Sequence, residues 1–90
     1  MLRGGGIMKQ QKLIDTINEL FPKAKAVPME EWDGSDEGIW FRGSEDIHSD
    51  GLPIFDYYGF GCHPEINSIL INAGWFYEPH DAGTMMAYPL

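Results

Sequence analysis

Aromatic residues constrain this chain more than any other feature. It holds three tryptophans, four tyrosines and five phenylalanines, and all but Phe21 fall between positions 32 and 88. At 90 residues it has room for one domain and one core. One sheet face packed against helices cannot bury so many rings, so some of them line a second surface. Tryptophan and tyrosine are enriched at binding hot spots, and Met85 and Met86 add adaptable apolar surface. The predicted interface set is Trp40, Phe55, Tyr57, Trp75, Tyr77, Met85 and Tyr88.

Periodicity supplies the elements. Leu13, Ile14, Ile17, Leu20 and Phe21 form one apolar stripe, which predicts an amphipathic helix over 8–21 that Pro22 stops. Residues 24–29 predict a short strand, and Pro28 confines it to an edge or an end. Asp33-Gly34-Ser35-Asp36 is a turn signal. Gly38 to Arg42 is the clearest strand, bulky on both faces, and Leu52 to Tyr58 predicts another. In the latter, Leu52, Ile54, Asp56 and Tyr58 share one face and Phe55 and Tyr57 the other. Pro64 and Glu65 open a second helix with the stripe Ile66, Ile69, Leu70 and Ala73. Gly74 suits its left-handed C-terminal position, with Trp75 packing back on Leu70. Trp75–Glu78 and Thr84–Tyr88 predict a final hairpin around a loop at 79–83.

The predicted fold is therefore a small α+β domain in the order α-β-β-β-α-β-β. An antiparallel sheet carries two helices packed on one face. The domain spans 8–90. Residues 1–7 read as a flexible N-terminal appendage around Gly4-Gly5-Gly6, with Met8 as the natural start. Purine-rich codons for Arg-Gly-Gly-Gly match an upstream ribosome-binding sequence, which points to a bacterial or phage gene; a cloning remnant is the alternative.

Charge narrows the partners. The formal net charge is −8, distributed as +3 over positions 1–25, −7 over 30–50 and −4 over 51–90. An acidic body repels nucleic-acid phosphates and anionic membrane surfaces, and attracts a basic protein or a cation. The first five elements follow the order of double-stranded-RNA-binding domains, but the basic loop and helix end that such domains use are missing, so RNA binding is not expected. No apolar run reaches the roughly 18 residues of a membrane helix. A cytoplasmic location is expected. The acidic residues Glu30, Glu31, Asp33, Asp36, Glu37, Glu45 and Asp46 are assigned to charge steering.

Chemistry-bearing residues are few. His48, Asp50, Cys62, His63, His80 and Asp81 are metal-ligand types in three loops, without the spacing of a ligand motif. Cys62 stands near a helix N-terminus, where a thiol pKa is lowered, but a buried, inert cysteine is the commoner state. Gly59-Phe60-Gly61 before that helix turns the chain more readily than it cradles an anion. Adjacent carboxylates such as Glu30-Glu31 point apart on an extended chain and make poor acid–base pairs. Asp56 interrupts a bulky strand.

The expected function is a non-enzymatic interaction domain without a cofactor. It would bind a protein partner or a second copy of itself through an aromatic sheet face or edge strand, as an accessory or inhibitor protein. One alternative is a DNA mimic that occupies a nucleic-acid-binding protein. Another is a metal-dependent hydrolase using His48, His63 and His80.

Overall fold

The computed structural model describes residues 9–34 and 37–90. The expected appendage 1–7, the start at Met8 and the steering residue Asp36 lie outside the described residues. The elements in chain order are α1 (Gln10–Leu20), β1 (Ala26–Pro28), α2 (Glu30–Asp33), β2 (Ile39–Phe41), β3 (Phe55–Asp56), β4 (Gly61–Cys62), α3 (Pro64–Asn72), β5 (Trp75–Asp81) and β6 (Thr84–Pro89). The main sheet is antiparallel in the order β1-β2-β6-β5, and β3 and β4 form a separate two-stranded ribbon. The fold is mixed α+β, as expected.

The first stripe folds as predicted. Leu13, Ile14 and Ile17 are buried. Leu20 is exposed, and Phe21 turns inward one residue beyond the helix. The Phe21 N–H closes onto the Ile17 carbonyl at 2.7 Å, and Pro22 ends the ladder. In α3, Ile66 and Leu70 are buried, and Gly74 takes φ +82 just before Trp75 enters the core.

Strand alternation sorts the sheet into two faces. Ala26, Ile39, Phe41, Trp75, Met85 and Ala87 join α1 and α3 in the main core cluster. Each fully buried Leu, Ile or Phe contributes about 1.5–3 kcal/mol. The opposite parity gives a second face with its own row across all four strands, Val27–Trp40–Met86–Glu78. Met29 and Met86 are as buried as the core yet stand outside its cluster.

Two expectations are corrected. The strand expected over 52–58 is reduced to Phe55–Asp56. The Asp50 carboxylate accepts the Leu52 N–H at 2.9 Å, Pro53 has no N–H to donate, and Tyr57–Phe60 is a turn. Ile54 and Phe55 are consecutive and both buried, so the one-sided alternation expected over 52–58 does not hold. In the final hairpin the strands run on to Asp81, leaving only Ala82-Gly83 as the turn. The Asp81 carboxylate accepts the Gly83 N–H at 2.9 Å, and a bulge lies between Pro79 and Asp81.

The β1 edge is closed to further pairing, and the β5 edge is blunted at its far end. In β1 the Arg42 N–H reaches the Lys25 carbonyl and the Met29 N–H reaches the Gly38 carbonyl. That pattern turns the polar groups of Ala26 and Pro28 outward. Asn18 of α1 takes both groups of Ala26, accepting its N–H at 2.8 Å and donating to its carbonyl at 2.9 Å. Pro28 has no N–H. On the other edge, the Leu90 N–H reaches the Gly74 carbonyl. With the observed register, this makes Phe76/Tyr88 and Glu78/Met86 the hydrogen-bonded pairs and turns the Pro79 nitrogen to the outside. Proline at outward positions blunts an edge strand.

The segment after β2 ties the sheet together. Gly43 passes so close to the turn at Lys23 that a Cβ would stand 1.7 Å from the Lys23 carbonyl oxygen. The buried Ser44 hydroxyl accepts the Met85 N–H at 2.9 Å and donates to the Phe41 carbonyl. Its own carbonyl accepts the Phe55 N–H at 3.0 Å. Among the described residues, no helix is long and apolar enough to cross a membrane.

Ser44→Ala leaves the buried Met85 N–H without an acceptor and is expected to cost about 1–3 kcal/mol in urea unfolding. Thr16→Ala removes an exposed hydroxyl bonded to the Lys12 carbonyl and should stay within about 0.5 kcal/mol of the parent.

Candidate functional site

Two places gather chemistry, on opposite sides of the sheet. The first is the face that α1 and α3 leave open. Trp40 of β2 projects there, and α2 lays Trp32 against it edge-to-face at 4.9 Å. Trp32 also meets His80 of β5 edge-to-face at 5.0 Å. Strand β6 runs between β2 and β5, so the Trp32 indole lies over β6, where Met86 is buried. Tyr88 and Phe76 continue the face with ring centroids 6.0 Å apart, and the Tyr88 hydroxyl donates to the Met86 sulfur at 3.5 Å. Trp32 and Phe76 remain 41% and 38% exposed, so the rings form an accessible surface rather than a sealed core.

The structure divides the predicted interface residues. Trp40 and Tyr88 lie on this face. Trp75, Met85 and Phe55 do not: they are 3%, 0% and 5% exposed, and they belong to the core. Tyr77 shares their side of the sheet, packed against that core. Its hydroxyl closes on Gly61, where a Cβ would stand 2.3 Å away. Tyr57 is exposed on the turn between β3 and β4, against Phe55 and Tyr58. The residues missed are Phe76 and Trp32. Gly74 sends Trp75 inward, so period two sends Phe76 outward; that signal was present. Trp32 stands in an acidic stretch without periodicity, and one turn of helix aims it at the sheet.

The second place is a cleft between the end of α1 and the start of α3. It has a volume of about 450 Å³ and is lined by Leu20, Phe21, His48, Glu65, Ser68 and Ile69, with Pro64 at the helix start. Phe21 touches two histidines, with His48 at 4.3 Å and His63 at 5.1 Å between ring centroids. His48 and His63 are 5.5 Å apart and perpendicular. His63 is 1% exposed and caps α3: its Nδ1 accepts the Glu65 N–H at 3.1 Å. Its Nε2 lies 2.8 Å from the Asp50 carboxylate.

These bonds decide what His63 can do. A backbone N–H only donates, so Nδ1 is an acceptor and the ring proton sits on Nε2, pointing at Asp50. Neither nitrogen is left to take a proton from a substrate. Asp50, His63 and Glu65 bring their ligand atoms within 4.8 Å of one another. A cation on Nε2 would drive the ring proton to Nδ1, against the Glu65 N–H. As hydrogen-bonded, the group is a helix cap and not a ligand set.

The other weak candidates are dispersed. His80 lies with Trp32 on the open face, whereas His48 and His63 flank Phe21. Asp81 accepts from the hairpin turn. Cys62 is 3% exposed, and burial pushes its thiol up to about 12. Asp56 is half-buried over the turn, its carboxylate filling the space above Gly59.

The acidic residues split into groups. Glu30, Glu31 and Asp33 are exposed on α2, and Glu37 is exposed before β2. Glu45 covers Gly83, and Asp46 pairs with Lys25 at 3.7 Å. Compared with known proteins, the chain matches no family model, no curated protein and no solved structure at a significant level.

The Leu52 N–H and the His63 ring hold the Asp50 carboxyl below the usual carboxylate range. A lowered folded pKa stabilises above the unfolded value of about 3.9, and that contribution is lost as pH falls through the folded value. The two donors reach different carboxylate oxygens, so Asp50→Asn removes the charge and keeps an acceptor for only one of them. The stability difference between parent and variant should be level above about pH 5 and shrink below about pH 4 in urea unfolding. Parallel curves would contradict the assignment. For Cys62, iodoacetamide at about pH 8 should label the native chain only at the rate of unfolding; rapid native labelling would contradict its burial.

Proposed function

We propose that this protein is a non-enzymatic interaction domain that binds another protein through the open aromatic face of its sheet. The observation that carries this reading is the set Trp32, Trp40, Phe76, Tyr88 and His80, gathered on the side without α1 and α3. Small monomers rarely expose such a patch without a contact to make. Tryptophan and tyrosine supply most interface energy per residue. The rings hold one another and the Tyr88 hydroxyl meets the Met86 sulfur, so the surface is preorganised and loses little freedom on binding.

The arrangement of the reactive groups supports a binding rather than a catalytic role. The three histidines divide between two clusters, His63 spends both nitrogens on the fold, and the Cys62 thiol is buried. An accessory or inhibitor protein of bacterial or phage type is the form of this reading that suits a small acidic domain.

The test is position-specific crosslinking in the cells that make the protein. A benzophenone amino acid in place of Phe76 should capture a discrete partner, and Trp32→Ala in the same chain should cut the yield about tenfold. The same label in place of Ile71, exposed on the far side in α3, should capture none. Equal capture at both positions, or no capture at either, would reject the reading.

A further inference from the structure

We infer that the occupant of the open face is a basic segment of a different protein, lying flat across the strands, with lysine or arginine side chains over the Trp32–Trp40 rings and against Glu78 and Asp33. This rests on the interaction reading above and adds the chemistry of the partner.

Three observations carry it. The first is geometric. Asn18 and Pro28 close the β1 edge, and Pro79 with its bulge blunts the β5 edge. A partner that adds a strand finds β1 closed and β5 interrupted at Pro79, whereas the face presents rings and charge together.

The second is charge. Glu78 ends the row Val27–Trp40–Met86 on the face itself. Asp33 closes the short helix that carries Trp32. Burial, with the carboxylates of Glu78 and Asp33, pushes the Tyr88 hydroxyl upward. Glu30, Glu31 and Glu37 add exposed negative charge alongside. Two copies meeting through this face would bring carboxylates of one sign together, each on a chain of net charge −8. Like-charge juxtaposition opposes a second copy and favours a cationic partner.

The third is an internal precedent. Arg42, one residue beyond Phe41 and on the parity of Trp40, holds its guanidinium over the Trp40 ring at 5.8 Å. Indole faces beside carboxylates suit long cationic side chains, whose stems cover apolar surface while the head finds the acid.

The three tryptophans make the experiment local. Trp32 and Trp40 are on the face, and Trp75 is in the core as a control. The probes are three peptides of equal length, alternating leucine with lysine, glutamine or glutamate, titrated into the intact nitrogen-15-labelled chain while its mass is followed by light scattering. The lysine peptide is expected to move the indole N–H signals of Trp32 and Trp40 and not that of Trp75. Its affinity should fall about tenfold between about 50 and about 250 mM salt. The double reversal Glu78→Lys with Asp33→Lys should exchange the preference, so that the glutamate peptide binds and the lysine peptide does not. An unchanged Trp75 signal shows that this variant is folded.

Equal binding of the glutamine peptide would overturn the inference and leave the face an apolar docking surface. A dimer with no peptide response at Trp32 and Trp40 would overturn it in favour of a second copy. Lysine-peptide shifts spread over Glu45, Asp46 and Asp50, with both face indoles unmoved, would reduce it to bulk electrostatics. A monomer whose face responds to no peptide would count against both the inference and the interaction reading. The crosslink at position 76 then separates the two: a captured acidic or neutral partner overturns this inference alone.

Discussion

The register between β2 and β6 is the constraint on which the rest of this structure depends. β6 lies inside the sheet and pairs with β2 on one side and β5 on the other. A slip of one residue would exchange Met85 and Ala87 for Met86 and Tyr88, and so turn the core out and the aromatic face in. One buried hydroxyl guards against that slip. Ser44 bridges the Met85 N–H to the Phe41 carbonyl and holds Phe55 through its own carbonyl. Gly43 makes the position attainable, because only a residue without a Cβ passes the Lys23 carbonyl. Strands β2, β6 and β3 thus meet at one residue, and both faces of the sheet inherit their identity from it.

Around this centre the protein closes what would otherwise attract the wrong contacts. Sheet edges invite strand addition, and here helix α1 and two prolines answer it. The helix that fills the core also supplies Asn18 to the edge, so one element serves both ends. The broad face is treated differently. A single turn of helix, α2, covers Met86 with one indole and leaves the neighbouring rings accessible. Apolar area that is supported but uncovered is the physical basis of the proposed binding role.

The histidine cleft teaches the opposite lesson. Residue types that suggest metal binding or acid–base catalysis are brought close together, yet their hydrogen bonds commit them to the fold. His63 starts α3 and anchors the loop through Asp50. Proximity alone would make this a site; proton bookkeeping on one imidazole makes it a cap.

Much of the fold was legible because local physics dictates it. The stripes of α1 and α3, the stop at Pro22, the edge role of Pro28 and the turn at Gly74 each follow from a few neighbouring residues. The strand expected over 52–58 failed because its apolar pattern carried no information about Asp50, Pro53 and the turn at Tyr57–Phe60 competing for the same backbone. For the site, the surplus of aromatic residues was legible and their sorting only in part. Of the residues expected at an interface, Trp40 and Tyr88 lie on the open face, whereas Phe55, Trp75 and Met85 belong to the core. Composition and spacing determined that this is a small acidic α+β domain with more rings than one core holds. Tertiary structure alone decided which rings stay outside and that Trp32 joins them. Facing is set by long-range register, and a residue's own neighbours do not encode which strand lies beside it.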